Sequence, residues 1–204
     1  MELQEALTQI HTIRAQVTRT ELFRGYRAAT VAGTGVLGLA AAAMQPMLVP
    51  DPALNPVAFV DLWVLVALAS VLLIAAELTM NWYRTESVLA RQQTRRAIEQ
   101  FLPCLVAGGL MTWALWSFAP QMLVLLPGLW AIVFGLGMFA SARQLPPAIY
   151  GVGAYYLVAG TACLGWAQGD AAFSPWAMGG TFGIGQLLTA AVLYWTLERP
   201  HAEE

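Results

Sequence analysis

The stretch AFVDLWVLVALASVLLIAAELTM, residues 58–80, holds 23 residues of which only Asp61 and Glu77 carry charge. A helix of about 20 apolar residues spans the roughly 30 Å hydrocarbon core of a bilayer, so this stretch reads as a transmembrane helix with one acid near each end. Five further apolar stretches of similar length surround it, at 28–49, 102–119, 121–141, 147–167 and 174–196. The breaks between them carry turn and helix-start residues: Pro50-Asp51-Pro52 and Pro56, Ala119-Pro120-Gln121, Leu145-Pro146-Pro147, and Ser174-Pro175. Composition agrees, because 58% of the 204 residues are hydrophobic and 11% charged, whereas a soluble domain carries about 25% charged residues. The expected fold is therefore all-α, a polytopic membrane protein whose six transmembrane helices form three hairpins.

All ten basic residues are Arg, with no Lys, a usage that suits a GC-rich bacterial genome. Arg14, Arg19, Arg24 and Arg27 precede the first span, Arg84, Arg91, Arg95 and Arg96 lie between the second and third, Arg143 follows the fourth and Arg199 the sixth. In a six-span chain these positions share one side, which the positive-inside rule makes cytoplasmic. Both termini are then expected inside, in a bacterial inner membrane. Trp116, Trp166 and Trp176 would mark the outer boundary and Trp82 and Trp195 the inner one, as an aromatic belt requires. The expected organisation is a cytoplasmic arm (1–27), a membrane domain (28–196) containing an Arg-rich cytoplasmic loop (81–101), and a tail (197–204). The arm reads as retained rather than as a signal peptide, since its Arg residues interrupt any apolar core.

Within the arm, Leu3, Leu7, Ile10, Ile13 and Val17 recur at steps of three or four, the spacing of an amphipathic helix. Such a helix would lie on anionic inner-leaflet lipids, each Arg near the surface contributing about 1 kcal/mol. Alternatively it would pack on a second cytoplasmic helix, the loop helix of residues 85–101, or dock a cytoplasmic protein.

Leu105-Val106-Ala107-Gly108 recurs as Leu157-Val158-Ala159-Gly160, and at the same offset of 52 Gly128 meets Gly180 and Ile132 meets Ile184. This pattern admits either a duplicated hairpin or a chance match among small apolar residues. Both candidate hairpins start from the same side, so a duplication would be parallel rather than inverted. Three short hairpins, with Leu126-Pro127-Gly128-Leu129-Trp130-Ala131-Ile132-Val133-Phe134-Gly135 opening the fourth span, resemble the small bacterial six-helix membrane proteins of the HdeD-like acid-resistance type. The resemblance covers residues 102–196 and implies an inner-membrane stress or accessory role without a catalytic residue.

No nucleophile elbow, paired Asp, Glu-plus-His or clustered-Asp motif occurs. Asp61 and Glu77 are 16 residues apart, about 24 Å along a helix, too far to share chemistry. His11 and His201 stand alone near the termini, and Cys104 and Cys163 fall near opposite faces, beyond disulfide reach. These features point away from an enzyme, a metal site and a cofactor, and a net charge of −2 points away from nucleic acid.

Two polar residues remain as functional candidates. Glu77 is an ionisable group within a span, expected to pair with an Arg of the cytoplasmic layer such as Arg84 or else to handle a proton or cation. Gln186 lies near the middle of the sixth span, where an unpartnered amide would cost several kcal/mol in hydrocarbon. Its side chain is expected to face protein or water. Close helix packing is expected at Gly179 and Gly183, at Gly160, and at Ala28 and Ala32, where small residues let backbones approach. The reading that follows is a non-enzymatic membrane component acting by association with a membrane or cytoplasmic protein or with its own copies. The alternative is a small-solute carrier or channel with a site near the sixth helix.

Overall fold

A computed structural model describes residues 27–84, 88–142, 145–166 and 169–199. The amphipathic helix expected in the arm lies outside the described residues, as does most of the tail. The described residues contain six α-helices and no strand: α1 (Ala28–Leu48), α2 (Pro56–Arg84), α3 (Val88–Phe118), α4 (Leu126–Ser141), α5 (Ile149–Trp166) and α6 (Pro175–Leu193). Short 3-10 turns, Pro120–Leu125 and Gly169–Phe173, lead into α4 and towards α6, and a π-helical turn, Tyr194–Glu198, continues α6.

Helix starts follow local chemistry. The Asn55 side chain accepts from the Ala58 N–H at 3.2 Å ahead of α2, and the Ser174 hydroxyl accepts from the Trp176 N–H at 3.4 Å ahead of α6. These residues satisfy N–H groups that a helix cannot pair internally. Pro occupies the first turn of α4 and of α6, where its missing N–H is no loss.

Among the described residues five stretches are long and apolar enough to cross a membrane: α1, α2, α3 from Ile98, α4 with its leading turn, and α6 with its flanking turns. The 18 residues of α5 include four glycines and three tyrosines, which dilute its apolar character. The Arg-rich connection, read from the sequence as carrying a helix at 85–101, is mostly helix, and this helix is continuous with the third span: α2 continues to Arg84 and α3 begins at Val88. With 31 residues α3 is about 46 Å long, so the turns bearing Arg91, Arg95 and Arg96 extend beyond its apolar length.

The closest helix contacts do not follow the three expected hairpins. They join α1 to α6 and α4 to α5, both pairs antiparallel and both lined by glycine. A side chain at Gly183 would collide with Leu39 Cγ at 2.6 Å, and one at Gly179 with Ala42 Cβ. In the second pair, a Cβ at Gly160 would lie 2.7 Å from the Gly128 carbonyl oxygen, and one at Gly128 2.7 Å from that of Gly160. Lipid supplies no hydrophobic drive between helices, so dispersion at such close approach is a main source of association.

Ala28 is buried at the start of α1, and Ala32 packs beside the same core. That core, around Val31, Leu78, Met138, Tyr156 and Leu193, fills the end where α1 begins. A second, around Ala42, Phe59, Trp63, Leu126 and Met178, fills the opposite end. Phe182 touches both. Phe134, Tyr156 and Phe182 form a ring cluster with centroids 4.8–5.7 Å apart, a spacing that favours tilted and edge contacts.

The matched residues of the internal repeat do different work. Gly128 packs on Gly160 of α5, whereas the atoms nearest a side chain at Gly180 belong to Trp176 of its own helix.

Candidate functional site

Polar side chains gather at three heights of the helix bundle. At the end where α1 begins, two carboxylates from other helices meet its first N–H groups. Glu77 Oε1 of α2 accepts from the Arg27 N–H at 3.2 Å, and Glu198 Oε1, beyond α6, accepts from the Ala28 N–H at 2.8 Å. Unpaired N–H groups and the helix dipole make this end attractive to anions, each worth about 0.3–1 kcal/mol. The Arg27 guanidinium also stands 4.0 Å from Glu77 Oε1. Only 9% of the Glu77 side chain is exposed, and its Oε2 is buried with no hydrogen-bond partner among the described residues.

Glu77 thus meets Arg27 across a helix interface rather than Arg84, the example expected from the sequence. Arg84 lies two turns further along α2, whereas the start of α1 packs beside Glu77 and offers a charge and free N–H groups together. Glu198 is brought to the same point by the π-helical turn, whose wider winding carries it past the α6 register while Leu197 stays buried.

At the opposite end Gln45 of α1 is 1% exposed, and both its polar atoms are hydrogen-bonded. Its Oε1 accepts from Trp63 Nε1 at 3.0 Å, and its Nε2 donates to the Phe173 carbonyl at 2.9 Å. This junction ties together the last turn of α1, the start of α2 and the turn before α6. The sequence singles out Glu77 and Gln186 and not Gln45. The available signal was a burial cost on each side, an amide inside an apolar run and an indole N–H that needs an acceptor.

Between these ends lies Gln186. Gly179, Gly183, Ala190 and Leu193, at seven, three, four and seven positions from it, are all buried. Helix periodicity places Gln186 on that same inward stripe, yet it remains partly exposed and no hydrogen bond engages its amide among the described residues. Its Cβ faces α1, 3.2 Å from where a Gly35 side chain would begin.

The other sequence candidates are packed or peripheral. Asp61 is exposed, Cys104 packs near Gly137, and Cys163 Sγ lies 3.6 Å from the Thr181 hydroxyl. Trp82, Trp116, Trp166, Trp176 and Trp195 are all exposed, while Trp63 is buried and Trp130 bonds the Thr112 hydroxyl at 2.8 Å. Among the described residues no group of three or more metal-ligating side chains occurs. No protein-family profile, curated protein or solved structure is significantly similar to the chain.

Proposed function

We propose that this chain is a six-span protein of a bacterial inner membrane, with both termini cytoplasmic, that acts by association rather than by catalysis. The observation that carries the reading is the gathering of charge at one end of an apolar bundle. Arg27, Glu77 and Glu198 meet there, Arg84 ends α2, and Arg199 directly follows Glu198. Five apolar helices of sufficient length support membrane embedding, and α5, at about 27 Å, completes an even number of crossings. On this reading the Arg residues of the α2–α3 connection face anionic lipid headgroups, as those of the arm do if it lies on the membrane.

Association is supported by glycines that internal packing does not use. A side chain at Gly109, Gly151 or Gly165 would meet no atom within 4 Å, and all three positions are exposed. Gly in a helix interior costs about 1 kcal/mol relative to Ala, and a neighbouring helix from another subunit would offset that by close approach. An inner-membrane accessory or stress-related role fits a bundle with no motif for catalysis. The experiment is crosslinking of the full chain in native membranes, comparing wild type with Gly151→Leu/Gly165→Leu. Loss of crosslinked species in the variant supports association, and a wild-type chain that stays monomeric refutes it. The carrier alternative draws its support from the unpaired Gln186 amide.

A further inference from the structure

We infer that Glu77 is a proton-binding site at which a proton and the start of α1 compete for one carboxylate, so that the first turn of α1 lifts off the bundle on acidification. The described chain enters the bundle at Arg27, and the groups that compensate the charge of Glu77 come from that turn. They are the Arg27 N–H at 3.2 Å and the Arg27 guanidinium at 4.0 Å, with the Thr30 side chain beside them.

The Glu77 side chain is nine-tenths buried, and only Oε1 is engaged. Its Oε2 is buried and accepts no hydrogen bond among the described residues, although an ionised carboxylate accepts at both oxygens. A hydrated cation cannot reach a sealed oxygen, whereas a proton needs almost no room. On its uptake an O–H bond forms at Oε2 as one in hydronium breaks, and the negative charge of Glu77 disappears.

A second acid sharpens the competition. Glu198 accepts from the next N–H, that of Ala28, at 2.8 Å, so two carboxylates stand on neighbouring N–H groups. The charged groups facing Glu77 are thus Arg27 from α1 and Glu198 from the turn after α6, with Arg84 two turns along its own helix. Two negative charges meet one guanidinium and the partial charge of a helix start, about half a unit. Glu198 is exposed, and water meets its charge. Glu77 has no such relief.

The direction follows from what each arrangement offers the carboxylate. With α1 docked, ionised Glu77 has an N–H, a guanidinium and the helix dipole. With the first turn lifted, it is left beside Ile74, Leu78 and Val31 of the apolar core, where an unpaired charge is costly. A proton therefore binds the lifted arrangement more tightly than the docked one. By linkage, docking is favoured at high pH and lost as pH falls. The 26 residues before Arg27 are tethered through this turn, so its release changes how they are held.

The test uses the full chain in lipid vesicles equilibrated to one pH on both faces, with Cys104 and Cys163 replaced by Ala. Ala29→Cys, at an exposed position of the first turn, carries a nitroxide label. The label should be restrained near pH 8 and become mobile towards about pH 5, the range in which buried carboxyls titrate. Glu77→Gln should leave it mobile throughout at unchanged helical circular dichroism, whereas Glu198→Gln should keep the pH response. Arg27→Gln should move the transition up by about half a pH unit, a threefold change of the size of an exposed ion pair. Mobility that ignores pH, that rises towards alkaline pH, or that still responds in Glu77→Gln overturns the competition. So does a label restrained throughout in Glu77→Gln. If that variant does not fold, an unmoved transition in Arg27→Gln overturns it instead. With both faces at one pH, these outcomes do not depend on the proposed topology.

Discussion

Trp63 donates its indole N–H to Gln45 across the α1–α2 interface at 3.0 Å, and both side chains are almost completely buried. The same amide donates to the Phe173 carbonyl, so one glutamine joins three segments distant in sequence. This junction fixes the register of α1 against α2 by an interaction with direction. Dispersion alone would tolerate small axial slips.

Gln45→Leu should destabilise the protein by about 2–4 kcal/mol, because it leaves the Trp63 N–H and the Phe173 carbonyl buried and unpaired, at about 1–3 kcal/mol each. Trp63→Phe removes the donor but leaves the amide one other bond, so its effect should be smaller. Unfolding in SDS, followed by helical circular dichroism, measures both. A Gln45→Leu variant as stable as wild type would show that the junction does not hold the helices.

Gly183→Leu should be more damaging than Gln186→Leu, although the two positions are three residues apart on one face. A side chain at Gly183 runs into Leu39 and approaches the Gly35 carbonyl oxygen at 3.2 Å, and overpacking of this kind costs about 1–3 kcal/mol or more. Gln186→Leu removes an amide that makes no internal hydrogen bond, so stability should change by less than about 0.6 kcal/mol, a typical membrane hydrogen bond. The same unfolding assay ranks them, and the reverse order would contradict the α1–α6 contact.

Glu77→Gln and Glu198→Gln should each loosen the start of α1 by about 0.3–1 kcal/mol, the usual value of a carboxylate at a helix N-terminus. Hydrogen exchange resolved to the first turn of α1 is the suitable readout, since the change is local. Protection of residues 27–31 should fall in both variants while the middle of α1 keeps its protection. Unchanged exchange would mean that neutral amides cap the helix as well as carboxylates do.

Cysteines introduced at residues 54 and 170 should react with an impermeant maleimide added outside intact cells. One introduced at residue 84 should react only after the membrane is opened. Residues 54 and 170 lie in connections without Arg, and residue 84 ends α2 on the Arg-bearing side. Outside labelling at residue 84, or none at residue 54, would break the six-span topology.

Hydropathy and punctuation were enough to place the helices. The apolar stretch read at 28–49 is matched by α1 at Ala28–Leu48, and that at 174–196 by α6 and the turns around it. Less can be read of where α2 and α3 end, since both extend past their apolar lengths towards each other through polar residues, and the helix expected at 85–101 is one piece with α3 rather than a separate element. Helix propensity continues through Arg, Gln and Glu, so the edge of the apolar run marks where hydrocarbon would end and not where the helix does.

At the candidate site, Glu77 and Gln186 were visible as polar residues out of place in apolar runs, and the glycines as packing surfaces. Their partners were not visible. Gly128 and Gly180 match in the sequence repeat, yet one faces another helix and the other does not, because a glycine looks the same whichever face of its helix is covered. The sequence by itself determined that the chain is a set of apolar helices with its Arg residues gathered in alternate connections, since hydropathy is a local property summed along one segment. Only the tertiary structure decided that α1 lies on α6, that Arg27 meets Glu77 and Ala28 meets Glu198, and that Gln45 is satisfied while Gln186 is left open. Those outcomes depend on which helix faces are brought within hydrogen-bond reach, and the side chains packed between them set that distance.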